Sequence, residues 1–336
     1  MKNDFTNTIT TFLHLQQKQN PISILNYQYL TSIKTLTPHI TCLAVHRNLL
    51  YAASLNLINV FDLSSHHTLI DTFNETSTSG FVKSITFSGS RVFTAHQDCK
   101  VRVWLITSSK THRLLSSLPT VKDRLRRCIV PKNYVSVRRH RKSLWIQHND
   151  TVSGLAVNKK EKLMYSVSWD KTFKIWDLSS ADGCIKVWKM MDDQVKRYTL
   201  VSMVGKQKPA VNALALNSDG TVLFSGGSDG TICQWQDKQN DIVLKEKLRG
   251  HSGAILCLVN VDDLLASGSA DLTVRIWQRE KGGSSYCCRG VLEGHEKPVK
   301  SLVAISGGGE DDDEVVTLFS GSLDGDIRVW EVFGLV

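Results

Sequence analysis

Long apolar runs are absent from this sequence. None of its 336 residues lies in a stretch apolar enough to span a bilayer, and the N-terminus has no apolar run of signal-peptide length. The eight cysteines include no Cys-x-x-Cys pair, and the adjacent Cys287 and Cys288 suit neither an ordinary disulfide nor a zinc site. We therefore expect a protein of the cytoplasm or the nucleus, or both, that has no membrane span, no metal site and no cofactor.

Helical periodicity and catalytic motifs are also absent. No segment sustains the helical period, and the sequence has no phosphate-binding loop, no His-Glu-x-x-His motif and no calcium-binding loop. Residues 226–230 match the Gly-x-Ser-x-Gly pattern of serine hydrolases, but that nucleophile needs a strand-to-helix turn, and this segment lies between two predicted strands. Because comparable turns recur in the chain without the match, we expect a protein that is not an enzyme.

The chain does contain a repeated spacing. Six aspartates stand six residues before a tryptophan, in the pairs Asp98/Trp104, Asp170/Trp176, Asp182/Trp188, Asp229/Trp235, Asp271/Trp277 and Asp324/Trp330. Five of these aspartates have Ser or Thr four residues upstream, at Thr94, Ser166, Ser225, Ser267 and Ser320. Alternating apolar residues and turn residues around the pairs predict β-strands. The spacing therefore indicates a repeat architecture with one continuous core.

The repeats resemble the WD-repeat unit, which has Gly-His near its start and a Trp-ended strand near its end. Residues 250–251 and 294–295 supply the first feature, and Trp277 and Trp330 supply the second. The resemblance covers about residues 30–336. It implies an all-β fold, a WD-repeat β-propeller with one four-stranded blade for each unit.

Four residue types of this unit can form a hydrogen-bonded network. Asp271 can accept from His251, and His251 can bridge to the hydroxyl of Ser267. That hydroxyl can meet the indole N–H of Trp277, and the linked chain then stiffens its blade. The residues that we assign to such networks are His148, Ser166, Asp170, Trp176, Ser225, Asp229, Trp235, His251, Ser267, Asp271, Trp277, His295, Ser320, Asp324 and Trp330. Residues 205–206 are Gly-Lys where Gly-His is expected, so we expect the network of Trp235 to be incomplete.

Two intervals between repeat ends are anomalous. Trp104 and Trp176 are 72 residues apart, which leaves room for a blade and an insertion. Trp176 and Trp188 are only 12 residues apart, and this interval cannot hold a blade. The sequence then contains one candidate strand more than six four-stranded blades require. The chain resembles a seven-repeat WD protein that has lost about one blade's worth of strands at a fused or truncated middle blade. We expect a closed ring of six blades in which one of the two Trp-ended strands, at 172–176 or 184–188, is supernumerary.

The predicted domain boundaries follow from this ring. A strand near residues 29–36 should complete the blade that contains residues 327–330 and so remove the exposed sheet edges. Residues 1–25 are polar, and we expect them to form a disordered tail. Residues 26–336 are assigned to the propeller, with a basic insertion at 119–147.

The insertion concentrates the positive charge of the chain. Residues 122–142 hold nine Lys and Arg against Asp123 alone, so they carry +8 of the formal net charge of +9. Within this segment, residues 138–142 read Arg-Arg-His-Arg-Lys. They form a nuclear-import cluster, a contact for phosphate or nucleic acid, a docking surface for an acidic protein, or a solvated loop. Nucleic acid is the less favoured ligand, because only Tyr134 and Trp145 could stack on bases. The candidate partner-binding residues are Arg126, Arg127, Arg138, Arg139, Arg141 and Lys142.

The position of the insertion favours a contact role. In a propeller blade, the turn between the second and third strands lies on the same face as the connection to the next blade. The insertion is such a connection. We therefore expect it to overhang the face that carries Asp170, Asp229, Asp271 and Asp324, and we expect protein partners to bind there.

The insertion also resembles that of a plant group of proteins. Asn-Tyr-Val at 133–135, Arg-Arg-His-Arg at 138–141 and Leu-Trp at 144–145 are similar to a stretch in the Jingubang-like branch of the WD-repeat proteins. The resemblance implies a plant regulatory protein of cytosol and nucleus without enzymatic activity. We predict a protein-interaction scaffold. The alternative, a substrate receptor of a Cullin–RING ubiquitin ligase, often carries Trp-Asp-x-Arg, whereas residues 176–179 read Trp-Asp-Leu-Ser.

Overall fold

Six four-stranded antiparallel sheets make up the fold, and each sheet is one blade of a propeller. The computed structural model describes residues 26–35, 37–74, 77–138, 141–158, 162–170, 172–178, 186–188, 210–218, 221–238, 241–280, 283, 285–307 and 315–333. The tail predicted at residues 1–25 lies outside this range.

Each blade runs from an inner to an outer strand. Blade 1 comprises β2 (Ile40–His46), β3 (Leu49–Ser54), β4 (Leu57–Asp62) and β5 (Thr68–Phe73). Blade 2 comprises β6 (Val82–Ser88), β7 (Arg91–His96), β8 (Val101–Ile106) and β9 (His112–Leu118). Blade 3 comprises β12 (Val152–Asn158), β13 (Leu163–Ser168), β14 (Phe173–Asp177) and β15 (Lys186–Trp188).

The second half of the ring follows the same order. Blade 4 comprises β16 (Val211–Leu216), β17 (Val222–Gly227), β18 (Ile232–Lys238) and β19 (Asp241–Leu248). Blade 5 comprises β20 (Ile255–Val261), β21 (Leu264–Ser269), β22 (Val274–Arg279) and β23 (Tyr286–Leu292). Blade 6 comprises β24 (Val299–Gly307), β25 (Val315–Ser322), β26 (Asp326–Phe333) and, as its outer strand, β1 (Asn26–Lys34).

The N-terminal strand closes the ring. β1 pairs with β26 in antiparallel register, with Tyr29 opposite Trp330 and Ile33 opposite Ile327. Six blades and closure by an N-terminal strand were both predicted from the sequence, and both are confirmed. β1 begins at Asn26, three residues before the predicted start.

The prediction of a supernumerary Trp-ended strand is wrong. Trp176 lies on β14 and Trp188 on β15, and these are the third and fourth strands of the same blade. Trp176 stands opposite Val187, and Ile175 stands opposite Trp188. Twelve residues are too few for a blade, but they suffice for two neighbouring antiparallel strands and their turn. Both strands therefore find hydrogen-bonding partners in blade 3.

Apolar clusters hold successive blades together. They lie between blades 1 and 2, 2 and 3, 4 and 5, 5 and 6, and 6 and 1. In five blades the first residue of the inner strand is fully buried: Ile40, Val82, Val152, Ile255 and Val299. Several of these side chains cover a glycine of the preceding blade, because a Cβ on Gly226 would collide with Ile255 and one on Gly321 would collide with Ile40.

The described part of the junction between blades 3 and 4 is packed differently. Val211 opens β16 and is 45% exposed, and Leu214 is 62% exposed. On blade 3, Val167 occupies the position equivalent to Gly226, and it is 46% exposed. A β-branched side chain therefore stands where the other junctions use glycine or alanine, and apolar residues that seal those junctions face solvent here.

Candidate interaction face

The network predicted around Asp271 is present in blade 5. The indole N–H of Trp277 donates to the hydroxyl of Ser267 at 2.8 Å, and this hydroxyl lies 2.8 Å from Nε2 of His251. Nδ1 of His251 then lies 2.8 Å from a carboxylate oxygen of Asp271. Asp271 also accepts from the hydroxyl of Thr273 at 2.7 Å. A neutral imidazole with its proton on Nδ1 completes this chain of donors and acceptors.

Two other blades repeat this arrangement. Blade 6 joins His295 to Asp324 at 3.0 Å and to Ser320 at 2.8 Å, and Trp330 donates to Ser320 at 2.9 Å. In blade 3, His148 lies 3.4 Å from Asp170 and 2.8 Å from Ser166, and Trp176 donates to Ser166 at 2.8 Å. All three histidines are buried.

Blade 4 retains two parts of the network. Trp235 donates to Ser225 at 2.8 Å, and Asp229 accepts from the backbone N–H of Thr231 at 3.1 Å. Residues 205–206, where the histidine was expected to be missing, lie outside the described residues.

Burial sets the protonation of these groups. It lowers the pKa of His148 to about 4, with Lys174 adding to the effect and Asp170 opposing it. Burial also lowers the pKa of His251, although Asp271 opposes the shift. For Asp271, burial alone would raise the pKa, but the hydrogen bonds from Thr273 and His251 outweigh it and lower the pKa to about 2. The imidazoles are therefore neutral and the carboxylate of Asp271 is charged at pH 7.

Blade 2 carries a variant of the network that the sequence reasoning missed. The imidazole Nε2 of His96 lies 2.7 Å from the Thr94 hydroxyl, which accepts from Trp104 at 2.9 Å. Here the histidine comes from β7 and not from the connection before the blade. Asp98 instead pairs with Arg102 at 2.7 Å. A histidine two residues after the Thr and an arginine four residues after the Asp were the available signals.

One face of the ring carries both the second–third turns and the connections between blades; we call it the turn face. Backbone bonds join the two sets: the N–H of Gln97 donates to Phe81 O at 3.0 Å, and that of Trp169 donates to Thr151 O at 3.1 Å. At the root of the insertion, a cavity of about 210 Å³ is lined by Asp98, Cys99, Lys100, Pro119, Arg124, Gln147, His148 and Asn149. The insertion thus begins and ends beside the Asp98 turn and His148.

Four residues at the turn face, three beside the starts of inner strands and one in the turn after β13, form a cluster that the sequence reasoning also missed; we call it the inner cluster. It comprises Phe81, Lys83, Trp169 and Lys300. The ammonium of Lys83 lies 5.2 Å from the ring centre of Phe81 and 5.9 Å from that of Trp169. Burial lowers the pKa of Lys83, and the nearby charge of Lys300 lowers it further.

The exposure of these aromatic rings is unusual. Trp169 is 62% exposed and Phe81 is 41% exposed, whereas Trp104, Trp176, Trp235, Trp277 and Trp330 are all buried. A tryptophan that precedes the turn Asp, outside the repeated position, was the signal in the sequence.

The insertion contains more regular structure than the sequence predicted. It forms a helix α1 (Val121–Cys128), a 3₁₀ turn (Pro131–Asn133) and a hairpin of β10 (Tyr134–Arg138) and β11 (Arg141–Leu144). Thr120 and Asp123 cap the helix reciprocally, because the Thr120 hydroxyl donates to the Asp123 carboxylate at 2.6 Å and accepts from the Asp123 N–H at 3.1 Å. This Thr-x-x-Asp pattern was the available signal.

The six candidate cations are distributed over these elements. Arg126 and Arg127 lie on α1, Arg138 ends β10, and Arg141 and Lys142 begin β11. The side chains of Arg126 and Lys142 are exposed. Arg139 lies outside the described residues.

Comparisons with known proteins agree with the geometry. Residues 140–177, 198–236, 243–278 and 286–331 match the family model "WD domain, G-beta repeat". Human striatin-3 is 30% identical over 181 residues, which is 51% of this chain and 21% of striatin-3. The U3 snoRNP-associated protein-like EMB2271 of Arabidopsis thaliana is 30% identical over 165 residues, covering 48% of this chain and 33% of that protein.

A solved structure shares the fold. The crystal structure of the WD40 beta propeller domain of Doa1 has a TM-score of 0.62 at 18% identity, and the match covers 91% of this chain and 97% of that one. The chain therefore carries WD40 repeats in a six-bladed β-propeller. The sequence matches quoted above span a third or less of the relatives' own length.

No helix in the described ranges is both long and apolar enough to cross a bilayer. In the same ranges, no group of three or more His, Cys, Asp or Glu is placed to hold a metal ion.

Proposed function

We propose that this protein is a non-catalytic scaffold whose turn face binds protein partners. The observation that carries the proposal is the inner cluster, in which the exposed rings of Trp169 and Phe81 flank the cation Lys83. Tryptophan is enriched among the residues that contribute most to protein binding, and an apolar wall beside a half-buried cation suits an acidic side chain of a partner.

The charge of the insertion extends this proposal. Arg126, Arg127, Arg138, Arg139, Arg141 and Lys142 belong to a segment that carries +8 of the net charge of +9. Concentrated charge beside a binding face raises the rate at which an oppositely charged partner arrives. We therefore propose an acidic partner. Nuclear import and phosphate or nucleic-acid binding are the alternative roles of the same cations.

The finer assignment rests on the Jingubang-like resemblance of residues 133–145. On that basis we propose a plant regulatory protein of the cytoplasm, the nucleus or both. The alternative of a Cullin–RING substrate receptor is less favoured. The sequence has two Trp-Asp pairs, at Trp169 and Trp176, and neither is followed by arginine at the expected position.

The test is affinity capture with a variant that combines Lys83→Gln and Trp169→Ala. We expect the partners captured by the wild-type protein to be lost, because the variant removes the cation and its larger aromatic wall. The control is Leu244→Ala on the outer strand β19, which is 43% exposed and should leave capture unchanged. Undiminished capture by a folded double variant would show that the turn face does not bind the partners.

A further inference from the structure

Helix α1 exposes an aliphatic stripe. Val121 is 62% exposed, Leu125 is 62% exposed, and Ile129, one residue beyond the helix, is 82% exposed. Residues four apart lie on one face of a helix, so Val121 and Leu125 share a face, and Ile129 follows at the same spacing in the turn that ends the helix. Single exposed aliphatic residues are normal on a protein surface, but a contiguous exposed strip marks a place of contact.

Cations frame this stripe on both sides. At 100° of rotation per residue, Lys122 and Arg126 fall on one flank of the stripe and Arg124 falls on the other. All three side chains are exposed. Asp123 falls on the opposite side of the helix, where its carboxylate is bound to Thr120. The helix thus presents an apolar centre with a positive rim and keeps its single acidic residue away from both.

The rest of the insertion continues the same chemistry. Val130 is 44% exposed and Tyr134 is 38% exposed, and Lys142 on the hairpin is exposed as well. The apolar and positive groups therefore extend from α1 through the 3₁₀ turn to the hairpin. A groove that accepts one helix would contact only the first of these elements, whereas a broad flat surface can contact all of them.

Nucleic acid is a poor match for this surface. A polyanion would use the cations, and it gains most from aromatic rings on which bases stack. It has no use for a strip of Val, Leu and Ile. Interfacial helices of membrane-bound proteins combine an apolar face with flanking Lys and Arg, because the aliphatic groups enter the acyl boundary while the cations meet anionic headgroups.

We propose that the insertion docks on the surface of an anionic lipid bilayer, with Val121, Leu125 and Ile129 inserted between the lipids. This inference goes beyond the proposed function, in which protein partners bind the inner cluster and the cations of the insertion attract an acidic partner. Neither the aliphatic residues nor the cations would suffice alone, since weak apolar anchors need an accompanying basic patch for stable attachment. Because the insertion emerges from the turn face, a scaffold that docks in this way carries its inner cluster on the same face as the insertion.

The experiment is co-sedimentation of the full chain with phosphatidylcholine vesicles prepared with and without phosphatidylserine. We expect binding only when phosphatidylserine is present, and weaker binding as salt rises. The combined variant Val121→Ser, Leu125→Ser and Ile129→Ser should bind about tenfold more weakly or worse, because it removes the inserted groups. The variant Lys122→Gln, Arg124→Gln and Arg126→Gln should also bind more weakly.

The matched control places the same substitutions on other exposed aliphatic residues. Leu69, Leu114 and Leu115 are 45%, 47% and 44% exposed on the outer strands β5 and β9, and their change to Ser should leave vesicle binding unchanged. Equal binding by the α1 serine variant and the wild-type protein would overturn the proposal, since charge alone would then explain it. Failure of the folded wild-type protein to bind the phosphatidylserine vesicles would also overturn it. An acidic protein would then be the favoured ligand of the insertion.

Discussion

Hydrogen bonds within the blades depend on single residues with little redundancy. In blade 5, one carboxylate receives the imidazole N–H of His251 and the hydroxyl of Thr273, together with the backbone N–H of Ser252 at 3.0 Å. The Asp271 side chain is only 9% exposed. Removal of this acceptor would leave several donors without a partner in a place that water reaches poorly.

We predict that Asp271→Ala lowers the free energy of unfolding by about 1–3 kcal/mol, because it leaves buried donors unsatisfied. The control is Asp263→Ala. The Asp263 side chain is 67% exposed and lies 3.6 Å from Arg279, and exposed ion pairs contribute little. Urea unfolding of both variants is the measurement. Equal losses would contradict a stabilising role for the network.

His96 is a second residue on which stability depends. Its Nδ1 is buried and finds no hydrogen-bond partner within the described ranges. Burial, reinforced by Arg102, lowers the pKa of His96 to about 3. In the unfolded chain a histidine titrates near ~6.5. Between these two values the unfolded state binds more protons than the folded state, so acidification removes stability.

We predict that stability falls as pH is lowered from about 6.5 towards 4 and below, with His96 and His148 both contributing. The measurement is the urea midpoint at pH 7 and at pH 5. His96→Gln should reduce the difference between the two midpoints, because glutamine does not titrate. His66→Gln, at an exposed site, should leave it unchanged. A wild-type midpoint that is higher at pH 5 than at pH 7 would contradict this prediction.

At the scale of elements, the insertion and the blades differ in the interactions that stabilise them. Blade strands share ladders of hydrogen bonds and bury apolar residues, whereas α1 is exposed over most of its surface and relies on its Thr120–Asp123 cap. The charged side chains of the insertion therefore contribute little to the stability of the fold.

We predict that the combined change of Arg138, Arg139, Arg141 and Lys142 to Gln leaves the melting temperature nearly unchanged, because charged side chains at a protein surface add little to stability. Partner capture should weaken or the nuclear fraction should fall, and any capture should decline as salt rises. Thermal melts, capture and imaging of the same variant test this. A less stable variant with unaltered partners and localisation would show that the segment is structural.

The sequence predicted the regular elements better than the irregular ones. Period-two alternation and the Asp-to-Trp spacing located the third strands of blades 2–6, although one pair, Asp182/Trp188, falls on a fourth strand. The N-terminal strand was found because a ring needs a partner for β26. The pairing of β14 with β15 could not be read from the 12-residue interval, because spacing alone does not say which strands are neighbours. The inner cluster combines residues from blades 2, 3 and 6, and no local pattern brings them together.

At the scale of the whole molecule, the junction between blades 3 and 4 is the least sealed part of the described ring. At the other junctions, residues such as Leu43 in β2 and Leu302 in β24 are 6% and 8% exposed. The equivalent Leu214 in β16 is 62% exposed. Blade 4 therefore depends more on its contact with blade 5 than on its contact with blade 3.

We predict that Leu214→Ala changes the free energy of unfolding by no more than about 0.5 kcal/mol, because the side chain is already in water. The same change at Leu43 should cost about 2–5 kcal/mol, because it removes buried methyl groups and leaves a cavity. Urea unfolding of the pair is the measurement. A large loss for Leu214→Ala would mean that this side chain is covered in solution.

Closure by β1 has a kinetic consequence. β1 is the first of the described strands in chain order, and its partner β26 is the last. Contacts so distant in sequence form slowly, because a long loop must be closed before they gain any energy. On the ribosome, β1 must wait until the other blades have emerged. Its unpaired edge is meanwhile available to other chains, so the yield of native protein depends on how well β1 is protected before the final blade arrives.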